Sequence, residues 1–214
     1  MHFLELKPLQ AEQLPAVVEL DQSCLGGLWN LEGYQRELES PNSLLLTLCT
    51  QKSQAVDCPS QLIAIGCFWS ILEEAHITIL GVHPDFQGRG LGQLLLYSLL
   101  RQAAIEWQLE RATLEVRESN SVALSIYQKF GFKVAGQRRK YYKNPEEDAL
   151  ILWLSGLSRP AFIEQLAQWD SKVRDRLFPE NWQLNDPENV ISSSLNFEAL
   201  DPQNDPGKER AKPL

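Results

Sequence analysis

The sequence is poor in the residues from which metal sites and disulfide frameworks are built. Its 214 residues include three histidines and four cysteines, and no two cysteines form a C-x-x-C pair. Cys49, Cys58 and Cys67 are spaced nine residues apart, a spacing that matches no zinc-site template. We therefore expect no metal site and reduced thiols, as is usual in the cytoplasm.

Long apolar runs and an excess of positive charge are also absent. The longest strongly apolar stretch, about Ser43–Cys49, is far too short to cross a bilayer, and we expect no secretory signal. Acidic residues outnumber basic ones 28 to 20, giving a net charge of −8. This argues against a protein that coats nucleic-acid duplexes. We expect a cytoplasmic protein with neither nucleic acid nor membrane as partner, and its charge fits a cationic partner such as an amine or a basic peptide.

The composition is that of a folded chain, with 43% hydrophobic and 22% charged residues. Strand-like and helix-like segments alternate through the first 155 residues, which predicts an α/β domain with a mixed sheet flanked by helices. The predicted strands are His2–Pro8, Leu44–Cys49, Leu62–Leu72, Ala75–Val82, Ala112–Val116, Phe132–Val134 and Ala149–Leu154. The predicted helices are Ala11–Cys24, Leu31–Glu39, Leu91–Gln108, Ser119–Phe130 and Ser158–Phe178.

Composition changes along the chain predict three parts. Residues 1–155 form the main domain, and residues 156–178 form a C-terminal extension with apolar residues at helical spacing. Residues 179–214 hold five of the twelve prolines together with many Asn, Asp, Ser and Glu. This last part is predicted to be a disordered tail.

A glycine-rich loop follows one predicted strand and opens the longest predicted helix of the main domain. Gln87, Gly90 and Gly92 form the pattern Q-x-x-G-x-G. No Lys-Ser or Lys-Thr pair follows, which excludes a Walker loop, and a third glycine at the wrong spacing excludes the dinucleotide-binding fingerprint. Glycines let the backbone approach a ligand, and free N–H groups at a helix start favour an anion such as pyrophosphate. A glycine-rich turn without a ligand would give the same pattern.

This loop resembles the pyrophosphate loop of the GNAT family of N-acetyltransferases. A second stretch, Leu114–Phe132, has the pattern L-E-V-R-x-S-N-x-x-A-x-x-x-Y-x-x-x-G-F. It resembles the bacterial RimI-type members, which acetylate the N-terminal alanine of a small-subunit ribosomal protein. Arg138–Tyr142 and Glu147–Ala149 are similar to the same subgroup. The resemblance covers about residues 1–155 and implies a mixed sheet whose fourth and fifth strands splay apart around acetyl-CoA.

The resemblance also implies which residues hold acetyl-CoA, the acetyl donor. One strand would pair with the pantetheine arm through its backbone, while the glycine-rich loop and the helix start would hold the pyrophosphate. The strand residues are Leu80, Gly81 and Val82, and the pyrophosphate residues are Gly88, Arg89, Gly90, Leu91, Gly92 and Gln93. Asn120 would contact the cofactor too, and it is also a plausible helix N-cap.

A catalytic pair is implied in the same way. Glu115 would take a proton from the substrate ammonium, which is no nucleophile until it loses one. Tyr127 would protonate the leaving thiolate, since a tyrosine hydroxyl is protonated at neutral pH. From the residues alone, Glu115 could also be a solvated strand residue and Tyr127 a core aromatic. His76 and His83 are more typical of structural or loop positions than of catalysis.

For the acceptor, the resemblance implies a protein N-terminal amine. Candidate acceptor-binding residues are Trp29, Tyr141 and Tyr142, with packing or an exposed strand end as the alternative interpretation. Trp29 follows Gly26-Gly27-Leu28 in a loop where RimI-type enzymes usually carry a Pro-Trp pair. Three other functions stay open: acetylation of lysine side chains, acetylation of a small-molecule amine, and a non-catalytic acetyl-CoA-binding scaffold.

Overall fold

A computed structural model describes residues 2–51, 60–180 and 182–184. The strands are β1 His2–Pro8, β2 Ser43–Gln51, β3 Gln61–Ile71, β4 Glu74–Val82, β5 Arg111–Arg117, β6 Lys133–Lys143, β7 Glu146–Ser155 and β8 Trp182–Leu184. The helices are α1 Leu14–Cys24, α2 Leu31–Glu39, α3 Leu91–Arg101, α4 Ser121–Lys129 and α5 Pro160–Leu177. In this part of the chain the strands form one sheet in the order β6-β7-β5-β4-β3-β2-β1-β8.

Helices cover both faces of the sheet, which confirms the predicted α/β architecture. Helices α3, α4 and α5 share one apolar cluster with the sheet, and α1 and α2 share a second cluster on the other face. Helix α3 approaches β3 closely at Gly66, where a Cβ would lie 2.9 Å from a methyl carbon of Leu99. A side chain at Gly66 would therefore push α3 away from the sheet.

The sheet opens between β4 and β5. These two strands run in parallel, but they pair only through Glu74–His76 and Arg111–Thr113. Beyond that point β4 continues to Val82 and β5 to Arg117 with no pairing between them. The opening is the splay that the sequence resemblance implied, so that expectation is confirmed.

The C-terminal extension packs into the same core as the main domain. Helix α5 lies inside the predicted extension, and its buried residues join the apolar cluster around α3. They are Phe162, Leu166, Trp169, Val173 and Leu177. The predicted division at residue 155 therefore does not separate two cores. It stays a proposal about how the sequence is organised.

Two segments differ from the sequence predictions. The prediction of a disordered tail from residue 179 is wrong for Trp182–Leu184, which pair in parallel with His2–Leu4 of β1. The buried side chain of Trp182 holds this short strand against the core. Residues 185–214 lie outside the described residues. The sixth strand runs to Lys143 although only Phe132–Val134 were predicted, because its outer residues gain their strand conformation from pairing with β7.

Cys24, Cys49 and Cys67 are free thiols, and Cys58 lies outside the described residues. Within the described ranges, no helix is long and apolar enough to cross a membrane. Nor does that part of the chain hold a group of three or more His, Cys, Asp or Glu residues able to bind a metal ion. The expectation of no metal site stays a prediction.

Candidate active site

The loop between β4 and α3 has the geometry of an anion site. After a 3₁₀ turn at Pro84–Phe86, the Gln87 side chain donates a 2.9 Å hydrogen bond to the carbonyl oxygen of Val82. Gly88 and Gly90 have φ of +76° and +89°, values that residues with a side chain rarely adopt. Gly90 is the N-cap of α3. The first N–H groups of a helix have no partner within it, so they are available to an anion here.

The first turn of α3 presents mainly backbone to this loop. The Leu91 side chain is buried in the core, so only its backbone can face a ligand. A Cβ on Gly92 would lie 3.8 Å from side-chain atoms of Val82 and Ile126, which is ordinary contact, so nothing in the space around it demands glycine. The Arg89 guanidinium lies 5.7 Å from the centre of the Phe86 ring.

The splay leaves backbone groups of β4 facing the cleft. The His83 N–H donates a 2.8 Å hydrogen bond to a β3 carbonyl, and successive residues of a strand direct their backbone groups to opposite sides. Leu80 and Val82 therefore direct theirs toward the cleft. Gly81 is buried against α1, where a Cβ would lie 2.8 Å from the sulfur of Cys24. Glycine at this position lets α1 pack close behind the cleft.

Glu115 lies on β5 beside the opening, with both carboxylate oxygens bound. Its Oε2 accepts a 2.7 Å hydrogen bond from His76 Nε2, and its Oε1 forms a 2.9 Å ion pair with Arg138. The hydrogen bond from His76, with the positive charge of Arg138, holds the pKa of the Glu115 carboxyl below its ordinary value, although burial opposes this. Glu115 is thus an ionised, positioned carboxylate. His76, which the sequence analysis interpreted as structural, is its direct partner.

Tyr127 is buried on α4, with its ring edge-on to Phe132 at 5.7 Å. Burial, with a contribution from the nearby Tyr142, raises the pKa of its hydroxyl, so the group stays protonated as a donor. The Tyr127 hydroxyl makes no hydrogen bond within the described part of the chain. The Tyr142 hydroxyl in turn donates a 3.4 Å hydrogen bond to the backbone carbonyl oxygen of Glu115. The structure therefore brings Tyr127, Tyr142 and Glu115 to the same region.

A row of aromatic rings leads from the α1–α2 loop to Glu115. Trp29 stacks on Trp69 with ring centres 6.2 Å apart, and Trp69 meets His76 edge-on at 6.1 Å. Trp69 was not among the residues predicted from the sequence. Counting back from the Leu72–Glu73 turn would have found it, because the hairpin register pairs Trp69 directly with His76.

Asp21 fixes the loop that carries Trp29, a role that was not predicted from the sequence. Its carboxylate is fully buried and accepts hydrogen bonds from the N–H groups of Leu28 and Trp29 at 2.8 and 2.9 Å. It also accepts one from the Tyr34 hydroxyl at 2.9 Å. The periodicity of α1 contained no signal for this role, because one acid on an amphipathic helix is ordinarily solvent-facing.

We expect Asp21→Ala to lower the free energy of unfolding by about 2–4 kcal/mol, because it leaves two loop N–H groups and a buried hydroxyl without an acceptor. Chemical denaturation measures the loss. Asp175→Ala, at an exposed position on α5, is the matched control and should change the value by less than about 0.5 kcal/mol. Equal values for the two variants would contradict this account of Asp21.

The other predicted residues lie at the rim. Asn120 is the N-cap of α4, as predicted, and its Oδ1 accepts a 3.1 Å hydrogen bond from the first turn of that helix. Its amide nitrogen is thus left for a ligand. Tyr142 lies under the Arg117 guanidinium at 4.1 Å, and the more exposed Tyr141 lies 5.6 Å from that of Arg138. Contact of these tyrosines with an acceptor stays a prediction.

Comparison with known proteins gives consistent matches. The model of a family described as "Acetyltransferase (GNAT) family" matches residues 14–132. A Bacillus subtilis protein named putative ribosomal protein bS18-alanine N-acetyltransferase is 30% identical over 151 residues, 70% of this chain and 94% of the relative. An Escherichia coli K12 protein named ribosomal protein bS18-alanine N-acetyltransferase is 30% identical over 156 residues, 70% of this chain and 95% of the relative.

Solved structures show the same fold. The crystal structure of the ribosomal-protein-S18-alanine N-acetyltransferase from Escherichia coli matches with a TM-score of 0.61 and 28% identity, covering 71% of this chain and 93% of that one. Arabidopsis thaliana NAA60 in complex with a bisubstrate analogue has a TM-score of 0.63, with 71% of this chain and 97% of that chain covered. At 14% identity, this second match concerns the fold alone.

Proposed function

The chain belongs to the GNAT family of acetyltransferases, and we propose that it acetylates the N-terminal α-amine of a protein, the N-terminal alanine of ribosomal protein bS18. Family membership makes it an acetyl-CoA-dependent N-acetyltransferase, as its sequence resemblance implied. Relatives that are 30% identical over nearly their whole length carry bS18-alanine in their names. A cytoplasmic location is part of the proposal, because ribosomal proteins are synthesised there.

The donor site of the proposal uses the cleft and the loop together. The pantetheine arm lies in the splay and pairs with backbone groups of β4, one of whose N–H groups polarises the thioester carbonyl. The pyrophosphate rests on the first turn of α3. The backbone of Leu80 and Val82 lines the arm, whereas Gly81 between them pairs with β3. Gly88, Arg89, Gly90, Leu91, Gly92 and Gln93 hold the pyrophosphate, and Asn120 offers its amide nitrogen.

The observation that carries the proposal is the setting of Glu115. Its two bound oxygens and lowered pKa make it a weak proton acceptor. A lysine ammonium has an ordinary pKa of about 10.4, whereas an N-terminal ammonium has one of about 7.7–8.0. A weak base therefore suits the α-amine much better than the lysine side chain. The proton passes from the α-ammonium to Glu115, and the freed nitrogen attacks the thioester carbon.

Tyr127 completes the transfer in the proposed mechanism. As the nitrogen–carbon bond forms and the carbon–sulfur bond breaks, the sulfur of the leaving CoA gains negative charge. The protonated Tyr127 hydroxyl donates its proton to that sulfur, giving an amide and free CoA. Attack is direct, so no acyl-enzyme forms, and none of these proton transfers needs a metal ion.

The aromatic row supplies the proposed acceptor wall. Trp29 and Trp69 stack beside His76, so a small apolar first residue such as alanine would have ring surface to contact next to Glu115. Tyr141 and Tyr142, on the other side of Glu115, would line the path of the following residues. The net charge of −8 favours a basic peptide there.

Two matched peptides test the acceptor, with release of free thiol from acetyl-CoA as the readout. One begins with a free N-terminal alanine in a basic sequence that has no lysine, and the other is N-terminally blocked and contains one lysine. We expect turnover with the first peptide only. Turnover with the second only would make the protein a lysine acetyltransferase. If neither peptide reacts, spermidine tests for a small-molecule amine, and acetyl-CoA binding without any turnover would favour a scaffold.

Replacing His76 tests how Glu115 is tuned. In His76→Leu the hydrogen bond to the carboxylate is lost, so the pKa of Glu115 should rise toward its ordinary value. Since the ionised carboxylate is the base, the variant should lose activity at a higher pH than the wild type when the solution is acidified. The acidic limb of its kcat–pH profile should therefore shift to higher pH. His76→Gln keeps a donor and should keep the wild-type limb. Identical limbs in both variants would contradict the tuning role.

A further inference from the structure

Helix α5, which lies beyond the region that the family model matches, contacts the proposed cofactor loop. The guanidinium of Arg176 donates a 2.9 Å hydrogen bond to the carbonyl oxygen of Gly88. A Cβ on Gly90 would lie 2.8 Å from the Arg176 side chain and 3.6 Å from that of Leu177. The extension thus holds the outer side of the loop in place.

A small cavity lies next to this contact. It has a volume of about 170 Å³ and is bounded by α3, the end of α4 and α5. Its lining residues are Gln93, Lys129, Phe130, Trp169, Lys172 and Val173. Pockets that enclose a whole small molecule are larger, about 300–1,000 Å³. The cavity therefore fits one group of a ligand whose remainder lies outside it.

The charge of the cavity indicates which group that is. Lys129 and Lys172 reach it from different helices, and neither forms an ion pair with a carboxylate among the residues described. Lys129 is also in the last turn of α4. Two ammonium groups without acidic partners among the described residues fit an anionic group such as a phosphate. The rings of Phe130 and Trp169, 4.8 Å apart, form the wall behind them.

Acetyl-CoA has such a group at the required place. Its pyrophosphate is followed by a ribose that carries a 3′-phosphate, and Gln93 belongs both to the proposed pyrophosphate site and to the cavity wall. We propose that the cavity between Lys129 and Lys172 binds the 3′-phosphate of CoA, so that α5 completes the donor site from outside the family domain. This inference rests on the proposed use of acetyl-CoA and is independent of the acceptor.

Binding of CoA and of dephospho-CoA, which lacks only the 3′-phosphate, tests the inference by calorimetry on the full chain. We expect the wild type to prefer CoA by about tenfold, which corresponds to about 1.4 kcal/mol. Lys172→Met and, separately, Lys129→Met should each reduce this preference to about threefold or less while leaving the Kd of dephospho-CoA unchanged. Lys133→Met, at an exposed position at the start of β6, should keep the full preference.

Other results have distinct meanings. Equal loss of both ligands in Lys172→Met would show that the residue acts by supporting α5, and would overturn the inference. A wild type that binds both ligands equally would overturn it as well. A wild type that binds neither ligand would overturn the donor assignment itself, whereas a failed peptide assay with normal CoA preference would leave the inference standing.

Discussion

Replacement of Glu115 by glutamine should lower kcat for a peptide with N-terminal alanine by about 100- to 10,000-fold, the range typical of a lost general base. Glutamine keeps the size of the side chain and can still accept from His76. It cannot take a proton, and it removes the charge that pairs with Arg138. The Kd of acetyl-CoA should stay within about twofold, because the loop and the β4 backbone are unchanged.

Glu106→Gln is the matched control for this experiment. Glu106 is exposed at the end of the π-helical turn Gln102–Glu106 that continues α3, and its replacement should leave kcat unchanged. Chemical denaturation of both variants separates catalysis from folding. If Glu115→Gln retained more than about a tenth of the wild-type kcat while folded, Glu115 would not be the base, and the ion pair with Arg138 would be structural.

Replacement of Tyr127 by phenylalanine should lower kcat by about 100-fold or more. The ring and its contact with Phe132 are preserved, so the variant loses only the proton donor for the leaving sulfur. Because Tyr127 is buried, solvent has little access to its place in the cleft and is a poor substitute donor. Steady-state kinetics with the alanine peptide measures the loss.

Tyr97→Phe is the control that matches Tyr127 in burial. Tyr97 lies on α3, and burial raises the pKa of its hydroxyl to about 12. It has no part in the proposed chemistry, so its replacement should change stability and leave kcat within about twofold. If the two phenylalanine variants had the same kcat, the proton on the leaving thiolate would come from solvent and the role of Tyr127 would be abandoned.

The local features of the donor site were predictable from the sequence. The Q-x-x-G-x-G pattern indicated a tight loop before a helix, and its first glycine, Gly90, has a positive φ, as does the neighbouring Gly88, a conformation that glycine adopts readily. Asn120 was predicted as a plausible helix N-cap, and the structure has the cap of α4 there. Signals of this kind act over a few residues, so no long-range contact is needed to find them.

Contacts between distant segments were not predictable in the same way. The bond between His76 and Glu115 joins residues that are 39 positions apart, and it depends on the short parallel pairing of β4 with β5. The contact of Arg176 with Gly88 spans 88 positions. Both require the fold before they can be seen, since helical or strand periodicity indicates which face a residue lies on but not what it meets there.

Tandem mass spectrometry of bS18 with a free N-terminal alanine, after incubation with acetyl-CoA and this protein, tests the central claim most directly. The account predicts one acetyl group, located on the α-nitrogen of the first residue, and none with Glu115→Gln. Acetyl groups on lysine side chains with a free first residue, or an unmodified bS18 from an enzyme that acetylates spermidine, would contradict it.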